Sequence, residues 1–507
     1  MATARTASFP APIGGLNARD PLAEMKPTDA VIMENWWPGP SSVEVRKGWL
    51  AWSTGYVNPV QTLMRYAPTT GAYKLFAAAG GSIFDATTQG PVGAAVVTGM
   101  STAQWQYTNI ATPGGSFLWI VNGLDPAQMY NGTAWSVPAV TGVSTNNIIG
   151  VNVFGNRLFL VEKNTLKVWY LPVQSIAGAA TAFDLATIFG RGGYLMAMGT
   201  WSVDAGNGMN DMAVFVSSEG EVAIYQGADP ASWTKQGVYV VGRPIGRKCL
   251  TKVAGDCLLL SEDGLYPLSR ALQSSTIDRS IAVTDKIQLL IAEATTTYST
   301  NYGWQTTLFP DANQLWINVP SDNINNFQYV QNTISGSWTK FTNMNARCWE
   351  VTGQSIFFGA TNMVCRAWVG QFDNGAQIQA DVLSAYQNFR APALAKYFTM
   401  VRPSLTADSN PSILYGLDLD FLNSPASGAL SFIPPTSAMV WGSMVWGSMV
   451  WGGSLQQIGS WETVGGVGYY AALRLTVQAN GSRVIWNATD YVYQVGGVLG
   501  GAMGDGS

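Results

Sequence analysis

The sequence predicts an all-β protein: a β-propeller of six or seven blades, preceded by an N-terminal arm and followed by a C-terminal β-sandwich-like domain. Three observations in the 507 residues lead there. Short apolar runs recur at nearly constant spacing. Turn residues and an aromatic strand follow most of them. The composition is rich in Gly and Trp and poor in charge. The runs are Leu75-Phe76, Leu118–Val121, Leu158–Val161, Val214–Val216, Leu258–Leu260, Leu315–Ile317 and Ile356–Phe358. Their first residues are 43, 40, 56, 44, 57 and 41 positions apart. Propeller blades repeat at this length, about 40–50 residues for four short strands.

Taken in order, residues 1–60 read as the arm and first strands, 61–370 as the propeller and 371–507 as the sandwich-like domain. Within the propeller, Asn131-Gly132-Thr133-Ala134-Trp135, Glu219-Gly220 before Val222–Tyr225, and Asp263-Gly264-Leu265-Tyr266 place turn formers ahead of aromatic strands, which is a hairpin signature. Steps of 40–44 leave little room for crossover helices, so antiparallel meanders are favoured over βαβ units. The two long steps call for insertions near 171–196 and 270–300. The first is Gly- and Ala-rich and reads as a loop. The second holds Ile281, Val283, Ile287, Leu289, Leu290, Ile291 and Ala294, partly at helical spacing, and predicts a helix within 278–297.

Beyond residue 370 the repeat is lost. Tyr397–Leu405, Ile413–Phe421, Tyr469–Gln478 and Arg483–Val492 alternate apolar and polar positions, as half-buried strands do. The end from Gln494 is dominated by Gly and reads as a mobile tail. Inside this region Met439-Val-Trp441-Gly-Ser repeats around Trp446 and Trp451 with period five. An odd period on a strand sends alternate Trp side chains to opposite faces. The repeat is read as a two-faced ribbon at a contact or, with equal weight, as tandem duplication in a tolerant loop.

Composition excludes several chemistries. The chain has no His, which removes Ser-His-Asp and Cys-His catalysis, imidazole metal sites and histidine pH switching. Charged residues make up 11%, and the net charge of -4 lacks the cationic surplus of a protein that grips phosphates. Cys249, Cys257, Cys348 and Cys365 form no C-x-x-C pair and read as buried apolar residues of a reduced compartment. Neither a secretory signal nor a membrane span is expected.

Candidate motifs are weak. Asp204–Asp211 resembles an oxygen-rich calcium loop, yet Phe215 stands where an EF-hand needs a carboxylate, so a turn between strands is expected. Ser261-Glu-Asp263-Gly264 faintly resembles the turn box of sialidase propellers. The arginines Arg157, Arg191, Arg243, Arg247 and Arg347 offer no spacing that makes them converge. Arg243-Pro-Ile-Gly-Arg247-Lys248 is the densest basic cluster and reads as a rim or subunit-contact patch. No cofactor and no metal site is expected.

The residues also carry a family likeness. Pro12-Ile-Gly14-Gly15-Leu-Asn17-Ala-Arg-Asp20, Met25-Lys-Pro27-Thr-Asp29, Glu34-Asn35-Trp36-Trp37-Pro-Gly39 and Val43-Glu-Val45-Arg46-Lys-Gly48-Trp49 resemble the N-terminus of tail hub and nozzle proteins of short-tailed bacteriophages. Asn156-Arg157-Leu-Phe159, Trp169-Tyr170-Leu-Pro172, Gly192-Gly193-Tyr194 and Phe215-Val-Ser-Ser-Glu219-Gly220-Glu221 resemble the same group, so the likeness runs over about residues 10–370.

The resemblance implies a structural virion protein without catalytic residues. It implies a homo-oligomer, in the family usually a hexameric ring, below the portal and its adaptor (head–tail connector) protein. Such a ring continues the channel for genomic DNA, which passes without tight binding, and carries a tail fibre or needle. Assembly in the host cytoplasm and residence in the virion tail follow. Candidate subunit or gate surfaces are Trp36, Trp37, Arg243, Arg247, Lys248, Trp441, Trp446 and Trp451. The alternative is a glycan-binding or glycan-degrading propeller, which would need clustered carboxylates in one concave pocket.

Overall fold

The computed structural model describes residues 4–204, 209–253, 255–271, 279–322, 325–408, 411–430 and 456–496. It divides into two compact units. The propeller unit comprises Ala51–Tyr329 and Asn343–Ala367; the terminal unit comprises Met1–Leu50, Val330–Thr342 and Trp368–Ser507.

The propeller unit is built from antiparallel meanders in chain order. Five stand as separate sheets, in a β-propeller arrangement. The first holds Val60–Tyr66, Lys74–Ala79 and Ser82–Asp85. The second runs Gln106–Thr112, Gly115–Val121, Gln128–Tyr130 and Trp135–Ser136. In the third, Ile148–Phe154, Arg157–Glu162, Lys167–Tyr170 and Thr181–Asp184 pair in turn. Leu195–Asp204, Met209–Ser217, Glu221–Gln226 and Thr234–Val240 form the fourth. Leu250–Val253, Asp256–Ser261 and Gly264–Pro267 form the fifth. Two further hairpins follow, Gln305–Phe309 with Gln314–Val319, and Cys348–Thr352 with Ser355–Gly359, the latter extended by Met363–Ala367.

Every apolar run read from the sequence falls on the second strand of its hairpin. The runs are continuous because both strand faces are covered. In Gly115–Val121, Leu118 and Ile120 pack with Phe76 and Ala78 of the preceding sheet, while Trp119 and Val121 pack with Leu158 and Leu160 of the next. The same division recurs one sheet on, where Phe159 and Val161 meet Phe215, and Val214 and Val216 meet Leu259 and Tyr266. The period of two survives, with apolar residues at both parities. A cluster joining Leu63 and Ala77 to Cys348, Phe357 and Val364 ties the first sheet to the last hairpin.

The leading strands lie side by side in chain order, from Gln106–Thr112 through Ile148–Phe154, Leu195–Asp204, Leu250–Val253, Gln305–Phe309 and Cys348–Thr352; the last lies beside Val60–Tyr66. All of these strands but Val60–Tyr66 line the cavities described below.

The two insertions differ from their sequence reading. Part of 171–196 is strand: Thr181–Asp184 pairs with Lys167–Tyr170 because Phe183 finds a place among Phe215, Tyr225 and Trp233. In the second, the helix occupies Gln288–Tyr298 and buries Ile291, Ala294 and Thr295, while short 3-10 turns at Arg279–Ile281 and Asp285–Ile287 take the earlier positions.

In the terminal unit, the four strands expected beyond residue 370 are Lys396–Ala407, Ser412–Leu419, Ala471–Gln478 and Val484–Val495. The first residues do not stand apart as an arm. Ala4–Pro10 and Val43–Val45 pair with Val484–Val495, and Asp29–Glu34 pairs with Gln379–Ser384. N-terminal strands thus complete sheets formed by residues 379–495. The Trp441, Trp446 and Trp451 repeat and the Gly-rich tail after Gly496 lie outside the described residues.

Candidate functional site

The leading strands bring polar and charged side chains to two cavities of the propeller unit, of about 210 and 340 Å³. Both are lined by Gln106, Arg247, Lys248 and Gln305. Arg347 and Tyr302 line the first; Tyr107, Lys252 and Glu350 line the second. Arg247 and Lys248 sit just before Leu250–Val253, and a parallel bridge from Lys248 to Gln305 fixes their register against the next leading strand.

Glu350 lies mid-strand in Cys348–Thr352, and Tyr107 donates its hydroxyl to the Glu350 carboxylate. Burial pushes the Glu350 carboxyl above its ordinary range; the Tyr107 bond and the charges of Lys248 and Arg65 work against this. Burial likewise pushes Tyr107 well up. The same desolvation lowers the Lys248 ammonium and the Arg247 guanidinium. Tyr302 is also raised by burial, while its hydroxyl meets Thr62 Oγ1 at 3.0 Å.

Lys248 Nζ donates to Gln305 Oε1 at 3.4 Å, an oxygen that already accepts from the Trp349 amide at 3.2 Å. Arg247 Nη1 donates to the Asn122 carbonyl at 3.3 Å. Lys252 Nζ is better held, donating to Ser202 Oγ at 2.9 Å. Among the described residues, the lining of the two cavities thus carries Arg247, Lys248, Lys252 and Arg347 against the single carboxylate Glu350. A two-carboxylate glycosidase needs a second acid within about 10 Å across the bond to be cleaved, and this lining offers one.

The sequence-derived candidates separate. Trp36 and Trp37 are 0% and 7% exposed and belong to the core of the terminal unit, which corrects their reading as contact surface: Trp36 packs edge-on to Trp486, and Trp37 packs against Phe341 and Trp368. Arg243 is exposed and pairs with Glu219 at 2.9 Å. Arg247 and Lys248, expected beside Arg243 on one rim, turn to the cavity instead. Of the five arginines weighed together, Arg247 and Arg347 share a cavity, whereas Arg157 pairs with Asp229. Tyr107, Gln305 and Glu350 carried no sequence signal, because a lone polar residue in an apolar strand reads as its solvent face.

Of the Asp204–Asp211 motif, Asp204 pairs with Met209 at the end of the hairpin of Leu195–Asp204 and Met209–Ser217, and residues 205–208 lie outside the described residues. Ser261 Oγ donates to the Gly264 carbonyl across a turn in which Gly264 has φ +131°. All four cysteines are buried and free. No described helix is long and apolar enough to cross a membrane.

No protein-family model and no curated protein matches the chain. Similar solved structures include BBS1N in complex with ARL6DN, soaked with mercury, at a TM-score of 0.39 and 9% identity over 64% of this chain and 96% of that one. YCF48 bound to D1 peptide matches at a TM-score of 0.38 and 10% identity, over 63% and 94%. Likeness at this level assigns no function.

Proposed function

We propose that the chain is a structural virion protein, a nozzle or hub subunit of a short phage tail that forms a ring below the portal and adaptor and leaves a channel for genome ejection. The observation that carries this reading is the ordered series of N-terminal and body motifs resembling that family. The motif residues have demanding structural positions: Asn35 has φ +60°, Arg46 is fully buried, and a Cβ on Gly15 would meet the Trp338 amide at 2.7 Å. Positions of this kind tolerate few alternatives, which gives such motifs their weight.

Within the same reading, the hairpins Gln305–Val319 and Cys348–Ala367 are the sixth and seventh blades, and the paired sheets of the terminal unit make a β-sandwich. The channel runs between copies. A 340 Å³ cavity corresponds to a cube about 7 Å on edge, whereas the major groove of duplex DNA alone is about 12 Å wide. The low charge suits a wall that DNA slides past. The subunit works without catalysis, and fibre or needle proteins attach to its ring.

The test is imaging of virions labelled with antibody against this chain, together with native mass spectrometry of the purified protein. Label at the tail tip and sixfold multiples of 54.3 kDa are expected. A protein that stays monomeric and never joins portal–adaptor complexes would sink the proposal.

A further inference from the structure

We propose that the cavity lined by the leading strands is an anion site, which takes a phosphate or carboxylate group on a ligand no larger than a monosaccharide, between Arg247 and Lys248. The proposal stands independently of any assembly into rings.

Donor accounting carries it. A lysine ammonium has three N–H donors and an arginine guanidinium five. Among the described residues, Lys248 makes one hydrogen bond of 3.4 Å and Arg247 one of 3.3 Å. Elsewhere the chain spends its cations differently: Arg46 makes five bonds of 2.7–3.0 Å, and Lys396 donates to three carbonyls at 2.7–2.9 Å. Charge points the same way. The lining carries four cations and one carboxylate, and that carboxylate is engaged by Tyr107 and disfavoured as an anion by burial. Desolvated cations with open donors gain most from a charged acceptor. Arg247 is exposed, so the cavity communicates with solvent, while Lys248 is half-buried and its ammonium loses hydration. The amides of Gln104 and Gln106 line the same space and provide neutral donors around an oxyanion.

Phosphate and carboxylate share the chemistry, and the experiment separates them. The full chain is titrated calorimetrically with inorganic phosphate and, separately, with glucuronate, against chloride at equal ionic strength; Lys248→Met and Arg247→Gln follow. Binding of phosphate alone assigns a phosphate group, and binding of glucuronate alone assigns a carboxylate. In either case each substitution is expected to weaken binding about tenfold or more. Arg247→Gln changes an exposed residue and keeps the comparison available if Lys248→Met does not fold. Neither anion binding above chloride, or binding unchanged in a folded variant, would overturn the proposal.

Discussion

Arg46 shows how one residue can organise a unit. Its Nε donates to Asn35 Oδ1 at 2.7 Å, Nη1 to Asp373 Oδ1 and the Lys47 carbonyl, and Nη2 to Asp373 Oδ2 and the Thr342 carbonyl. Five donors meet five acceptors at zero exposure. Removing one partner of a buried pair leaves the other charge uncompensated, at a cost of about 3–5 kcal/mol. Asp373→Ala is therefore expected to lower the unfolding free energy from urea denaturation by that amount, and Arg46→Met/Asp373→Leu to recover part of it. The sequence marks Arg46 by its motif. It cannot mark Asp373, which lies 327 positions away with no periodicity to connect them.

Glu350 gives a pH signature. Its folded carboxyl titrates above the ordinary 4.5 because of burial, with Tyr107, Lys248 and Arg65 as the groups that oppose the shift. Between the two values the folded chain holds a proton that the unfolded chain has released. The contribution to stability is thus complete below the ordinary value and is lost as pH rises through the raised one. Glu350→Gln removes this loss. Urea unfolding at about pH 4 and about pH 8 should show the variant gaining on the wild type at the higher pH; equal differences at the two would refute it.

At the scale of the element, the second strands were legible because burial on both faces makes an apolar run with no alternation. Length and flanking turns separate such a run from a helix. The strand Thr181–Asp184 was not legible, since Phe183 is its lone large apolar residue and its partners come from the next sheet. The sheets of the terminal unit were read in half: alternation within residues 397–492 was visible, but of the N-terminal strands that complete them Val43–Val45 is too short to carry a pattern and Ala4–Pro10 buries none of its residues.

Two element-level outcomes follow. Trp349 is fully buried, its ring 4.8 Å from that of Trp316 and its Nε1 bonded to Asn318 Oδ1 at 2.9 Å. Trp349→Ala should cost about 3–5 kcal/mol in chemical denaturation. Gly48 is in backbone contact with Val369 and Gly370, and a Cβ there would overlap the Phe372 carbonyl oxygen. Gly48→Ala should destabilise by about 1–3 kcal/mol, because the strand crossing has to open; an unchanged melting curve would show that the backbone yields freely.

For the whole molecule, the propeller architecture was readable from spacing, whereas the division into units was not. Composition shifts near residue 370, but nothing in residues 1–50 announces that their partners lie at the other end of the chain. The cavity chemistry was half visible: the Arg243–Lys248 cluster was, its split between rim and cavity was not, because Gly246 and the start of a leading strand redirect the last two residues.

The pairing of Ala4–Pro10 with Val484–Val495 has a consequence in time. On the ribosome the first strand emerges about 470 residues before its partner, roughly 25–95 s at about 5–20 residues per second. Throughout that interval its amides face an empty position, available to any strand edge nearby. Nascent chains on a crowded polysome are expected to be most exposed to mispairing at this strand, for as long as the whole intervening stretch takes to be synthesised.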